Sequence, residues 1–141
     1  MTAAAPGRPR ILIVEDSPFI IMALEAMCDS LGWALVGPAT DAAQGLAMAT
    51  EAAIDAALVD VTLGEGDALG HGWGIAAALQ AREIPFIFIT GHDPAGLVPL
   101  RFAGVPVVRK PFRLAAIEIP MAQLLAAAAV KSTRITPAWP S

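Results

Sequence analysis

The sequence predicts a doubly wound α/β sandwich, in which five short parallel strands are covered by helices on both faces. Short apolar runs recur at residues 11–14, 34–36, 56–60, 85–89 and 106–108. Each is nearly continuous rather than alternating, as in a strand buried on both faces of a parallel sheet. Helix-like stretches separate the runs, and strand–helix alternation with right-handed crossovers builds such a sheet.

Each helix can be justified in turn. After the first strand, Ser17 is a plausible N-cap, with Pro18 at the first helical position. Ile20, Ile21, Leu24, Met27, Cys28 and Leu31 then recur at helical spacing until Gly32 stops the helix. Thr40 or Asp41 caps a second, alanine-rich helix that runs to about Thr50. In the third, Ile75, Ala78 and Leu79 face inward. Residues 94–102 are the weakest helix candidate, because Gly96 and Pro99 lie inside them. A long fifth helix is expected over about 114–130, with Pro120 kinking it or marking its true start.

The chain has 141 residues, enough for one domain and a sizeable core without disulfides. The expected layout is a tail at 1–9, the domain at 10–131 and a second tail at 132–141. That second tail, with Trp139, is too short to fold into a further module. With 56% hydrophobic residues and 16% charged, disorder across the body is not expected. A net charge of −4 lacks the basic field of a nucleic-acid binder. The lone Cys28 excludes an internal disulfide and reads as a core thiol; Trp33 and Trp73 read as packing residues. Met1 to Arg10 carries Pro6 and Pro9 and no secretory apolar stretch, and no membrane span is evident, so a cytoplasmic protein is expected.

In doubly wound folds the functional crevice lies at the carboxyl ends of the strands. There the sequence places Glu15 and Asp16 after the first strand and Asp60 at the end of the third. Thr90 and Gly91 end the fourth, and Lys110-Pro111-Phe112 follows the fifth. Clustered carboxylates need a cation, and an all-oxygen site suits Mg²⁺. An ionised Asp60 can attack a phosphoryl group in line, while Lys110 offsets charge and the Thr90 hydroxyl donates a hydrogen bond.

The set Glu15-Asp16, Asp60, Thr90 and Lys110-Pro111-Phe112 resembles the receiver domain of two-component response regulators, over about Arg10 to Lys131. The resemblance implies a flavodoxin-like (βα)5 fold. It implies that Glu15, Asp16 and Asp60 bind Mg²⁺, with the backbone carbonyl of Thr62 as a further ligand. It also implies that Asp60 takes phosphate from a histidine kinase or a phosphotransfer protein. Residues 85–91 are similar to a receiver subgroup with a Pro-Phe-x-x-x-Thr-Gly stretch, many of whose members stand alone and several of which serve alphaproteobacterial stress signalling.

Two positions depart from the family pattern. Val107 stands where most receivers carry Tyr or Phe, so the usual coupling of a threonine shift to an aromatic rotamer does not carry over. Gly64 stands where a proline often follows, and residues 64–74 form a glycine-rich loop. Thr62 and His92 flank the pocket in this family, whereas His71 reads as a residue that caps or sits on that loop.

Other readings fit less well. Gly64-x-Gly66-x-x-x-Gly70 looks like a dinucleotide loop but follows the third strand rather than the first. An aspartate-nucleophile phosphatase would carry a second acid at position 62, where Thr62 stands. The remaining alternative is a degenerate receiver that only binds proteins. For output, the face of the fourth helix, fifth strand and fifth helix is expected to contact a partner or a second copy in a homodimer. Leu124 and Ala128 are expected on that face, and residues 91–102 to become ordered on activation.

Overall fold

The structure, a computed structural model, describes residues 8–61, 71–91 and 98–135, with side chains left undescribed at 71 and 131–135. Thr62, the glycines between 64 and 70, His92, residues 93–97 and Trp139 lie outside the described residues. In chain order the elements are β1 (Arg10–Val14), α1 (Pro18–Leu31), β2 (Ala34–Ala39), α2 (Ala42–Glu51), β3 (Ala56–Asp60) and α3 (His71–Ala81). There follow β4 (Phe86–Thr90), a 3-10 turn (Leu100–Phe102), β5 (Val107–Arg109) and α4 (Leu114–Ile135).

The strands form one parallel sheet in the order β2-β1-β3-β4-β5. The chain steps from β1 outward to β2, then back past β1 to β3 and on in the other direction. The reversal opens a crevice at the carboxyl ends of β1 and β3. β3 and β4 are buried at every residue, and β1 at all but Arg10. Alternation sorts their side chains into two cores. Leu12, Val14, Val59, Phe86 and Phe88 pack against α2 and α3, with Ile75, Ala76 and Leu79. Ile11, Ile13, Leu58, Ile87 and Ile89 pack against α1 and α4, through Leu24, Met27, Ile117 and Met121.

Local chemistry sets the helix ends. Ser17 is extended and caps α1, Pro18 starts it, and Gly32 ends it at φ 76°, a left-handed conformation that a Cβ disfavours. Asp41, rather than Thr40, is the N-cap of α2 and accepts from the Gln44 N–H at 2.8 Å. Cys28 and Trp33 are core residues, and burial, with the charge of Glu25, pushes the Cys28 thiol up to about 11. That thiol stays protonated and inert at neutral pH.

Three expectations need correction. No α-helix spans the described part of 94–102: residues Leu100–Phe102 make a single 3-10 turn, N-capped by Pro99. The last helix runs on to Ile135 with Pro120 inside it. Burying Ile117 and Met121 on either side of the proline outweighs the one backbone hydrogen bond it removes. β2 continues to Ala39 through Gly37-Pro38, because an edge strand tolerates proline and the pairing with β1 shifts register between Leu12 and Val14. Leu124 and Ala128, with Gln80, Glu83, Ile84, Pro85 and Phe86, line a groove of about 370 Å³ at the start of β4. No helix of the described residues is long and apolar enough to cross a membrane.

Candidate functional site

Backbone pairing places each strand-ending residue. The Glu15 N–H donates to the Ala39 carbonyl at 3.0 Å, which fixes the exit of β1. The Val61 N–H donates to Ile89 at 3.0 Å, and the Lys110 N–H to Thr90 at 2.7 Å. The residues that follow β1, β3 and β5 are thus registered against one another before any side chain is considered.

Their side chains converge. The Lys110 Nζ donates to Asp60 Oδ2 at 3.0 Å and to Glu15 Oε2 at 3.2 Å. Both carboxylates are fully buried, and Thr90 is buried beside them at the end of β4. Asp16 is exposed, yet Glu15, Asp16 and Asp60 each offer a carboxylate oxygen, all within 4.8 Å of one another. The Ser17 N–H, at the cap of α1, donates to Glu15 Oε2 at 3.0 Å.

The electrostatics are unbalanced without a further cation. Burial, then the charge of Asp60, pushes Glu15 up to about 7, against the lowering effects of the Ser17 N–H and Lys110. Burial pulls Lys110 down, but its hydrogen bond to Asp60 and the charges of Asp60 and Glu15 outweigh it and hold the ammonium above its ordinary range. One ammonium therefore faces two buried carboxylates and a nearby third. Among the described residues, Glu15 Oε1 is also a buried side-chain oxygen with no hydrogen-bond partner. A buried acceptor of this kind is costly unless something binds it. An all-oxygen donor set with an orphaned carboxylate oxygen fits a hard divalent cation.

The structure thus brings together Glu15, Asp16, Asp60, Thr90 and Lys110, while the Thr62 carbonyl lies outside the described residues. Sequence reasoning missed two features. One is the backbone N–H of Ser17, which carries no side-chain signature. The other is a groove of about 500 Å³ beside Lys110 and Gly91, walled by Phe19, Ile20, Pro111, Phe112 and Leu114. Phe19 is 84% exposed. The signal for it was legible: a large aromatic off the apolar stripe that α1 turns to the core.

Comparison with known proteins agrees with this arrangement. The family model described as the response regulator receiver domain matches residues 11–119. The phyllosphere-induced regulator PhyR of Methylorubrum extorquens is 32% identical over 126 residues, covering 86% of this chain. The chain spans only 45% of that regulator's length. The BeF3-activated SdrG of Pseudomonas melonis Fr1 is 40% identical, with a TM-score of 0.65 over 82% of this chain and 95% of its own. The receiver domain of the sensor histidine kinase PA1611 from Pseudomonas aeruginosa, solved with a magnesium ion in its active-site cleft, is 26% identical, with a TM-score of 0.68 over 85% of this chain and 99% of its own. The family match runs from β1 into α4 and so takes in every strand end that carries a site residue: this chain belongs to the response regulator receiver domain family.

Proposed function

We propose that this chain is a phosphoacceptor switch in which Asp60 takes a phosphoryl group from a phosphohistidine on a histidine kinase or phosphotransfer protein. The observation that carries the reading is the Lys110 ammonium bridging two fully buried carboxylates, 3.0 Å from Asp60 and 3.2 Å from Glu15. A carboxylate oxygen of Asp60 attacks phosphorus in line and forms an O–P bond. The P–N bond to the donor breaks, and its electron pair stays on the ring nitrogen. With its other nitrogen already protonated, the ring leaves as neutral imidazole.

Lys110, protonated throughout, stays beside the acceptor and offsets charge on the transferred oxygens. Thr90 donates its hydroxyl to one of those oxygens in the acyl phosphate. Glu15, Asp16 and Asp60 would hold Mg²⁺, with the Thr62 carbonyl as the further ligand that the family resemblance implies. When bound, Mg²⁺ neutralises charge on the phosphoryl oxygens. The test is incubation with acetyl phosphate or phosphoramidate and Mg²⁺, read by intact mass. The wild type is expected to gain one phosphoryl group. Asp60→Asn and an EDTA-treated control are expected to gain none, and full labelling of Asp60→Asn would refute the assignment.

The groove walled by Phe19 and Phe112 opens beside Lys110, which supports docking of the donor protein across the start of α1. An exposed aromatic at the centre of a contact commonly carries more than 1 kcal/mol of binding. Phe19→Ala is therefore expected to slow transfer from a phosphorylated protein donor about tenfold, while uptake from acetyl phosphate stays unchanged. Equal slowing with both donors would place Phe19 in the chemistry or the fold instead.

A further inference from the structure

One ring on α3 packs against both β4 and the 3-10 turn that follows it. The start of α3 rests on the backbone of the acceptor strand, and it can do so because position 72 has no side chain. A Cβ on Gly72 would lie 2.7 Å from Val61 Cα and 3.2 Å from the Asp60 carbonyl oxygen. The next residue, Trp73, therefore has its backbone held beside the acceptor. Its ring meets Phe88 edge-on, with centroids 5.1 Å apart, and stacks on Phe102 at 5.9 Å. Phe88 precedes Thr90 by two residues and shares its face of β4. Phe102 closes the 3-10 turn that follows β4. A second tie joins the same elements, since Gln80 Nε2 on α3 donates to the Arg101 carbonyl at 3.2 Å.

Resting on the reading of Asp60 as the phosphoacceptor, we infer that Trp73 couples the acceptor to an output patch at Leu100 and Arg101, through its stack on Phe102. The acyl phosphate at Asp60 carries about −1.5 to −2 charge, where an ionised carboxylate carries −1. That charge draws Lys110 and Thr90 toward the acceptor and displaces the end of β4 relative to α3. Packed rings switch between discrete arrangements rather than stretching continuously. Phe86, Phe88 and Phe102 are walled in, whereas Trp73 is half-buried and has a solvent side, so Trp73 is the ring that yields. Phe102 moves with it, and its neighbours are placed to broadcast the change. Leu100 is 89% exposed, and the Arg101 guanidinium lies 4.8 Å from the Phe102 ring centroid.

The test uses the ¹⁵N-labelled full chain with Mg²⁺ and beryllofluoride as the phosphoryl mimic, with Trp73→Phe to assign the indole resonance. The Trp73 indole N–H is expected to shift. The Trp33 indole, in the core on the other face of the sheet, is expected to stay in place. Trp73→Leu removes the stack but keeps an apolar side chain, and an unchanged Trp33 resonance confirms its fold. It is expected to lower half-saturating beryllofluoride about fivefold, because activation no longer has to rearrange the stack. If Asp60 is occupied while Trp73 does not move, or Trp33 moves as far, the coupling role is overturned and the phosphoacceptor reading stands. An unchanged half-saturation in Trp73→Leu overturns it equally. If the wild type shows no occupancy of Asp60 at all, the phosphoacceptor reading fails and the coupling role with it.

Discussion

Replacing Lys110 with Ala is expected to lose phosphoryl transfer about a hundredfold or more and to destabilise the metal-free protein in a pH-dependent way. The ammonium is the counter-charge printed into the fold for both Asp60 and Glu15. Their carboxylate oxygens lie within 4.8 Å of each other, and at an effective dielectric near 20 two charges at that range repel by roughly 3–4 kcal/mol. Removing one partner of a buried ion pair leaves the other charge uncompensated, commonly at a cost of about 3–5 kcal/mol. Lys110 keeps some solvent contact, so about 2–4 kcal/mol is expected at pH 8. The loss should shrink toward pH 5.5, where Glu15 takes up a proton and the repulsion is relieved. Urea unfolding at the two pH values in EDTA measures both the size and the slope. A pH-independent loss would mean that Lys110 stabilises by packing of its stem rather than by charge.

Glu15→Gln is expected to have the opposite effect on stability while abolishing metal binding. Glu15 is raised to about 7 in the folded state from an ordinary 4.5. Between those values the folded protein binds the proton that the unfolded chain releases. Stability from this group is therefore fully present below about pH 4.5 and is lost as pH rises through about 7. The loss is on the order of 3 kcal/mol by pH 8 in the absence of metal. Gln cannot ionise, so the variant should be more stable than wild type by about 1–3 kcal/mol at pH 8 in EDTA, and its stability should depend less on pH. With Mg²⁺ the order reverses, since ligand binding stabilises only the folded wild type. Thermal melts with and without Mg²⁺ decide it. If Glu15→Gln and wild type respond equally to Mg²⁺, Glu15 does not hold the cation. Asp16→Asn should weaken Mg²⁺ far more than a change at the distant Glu51.

Local chemistry was legible in the sequence where one residue type settles one conformation. Ser17, Pro18 and Gly32 bounded α1 correctly because capping and left-handed turns depend on near neighbours alone. The ends of β1, β3 and β4 were legible because their apolar runs stop at Glu15, Asp60 and Thr90, which are candidate site residues. What failed depends on tertiary contacts. Pro120 was read as kinking the last helix or marking its true start, but α4 starts at Leu114 and the buried residues around Pro120 carry it through. The second apolar run was read as ending at Val36, yet β2, an edge strand, continues through Gly37 and Pro38 to Ala39. Leu31 fits the apolar stripe of α1 and is nevertheless 36% exposed, at the last turn where the helix leaves the core. Residue types could nominate Lys110, but not its simultaneous bonds to Asp60 and Glu15, nor the orphaned oxygen of Glu15. Those follow only from the register of β1, β3 and β5.

Phosphate carried on the Asp60 carboxylate can be trapped chemically. An acyl phosphate has an activated carbonyl, which borohydride reduces to the alcohol with release of phosphate. The chain labelled with acetyl phosphate and Mg²⁺, then reduced and digested, should yield homoserine at position 60 and unchanged aspartate at position 16. Phosphate that survives reduction on a serine or threonine, or homoserine at another acid while position 60 stays aspartate, would contradict the account.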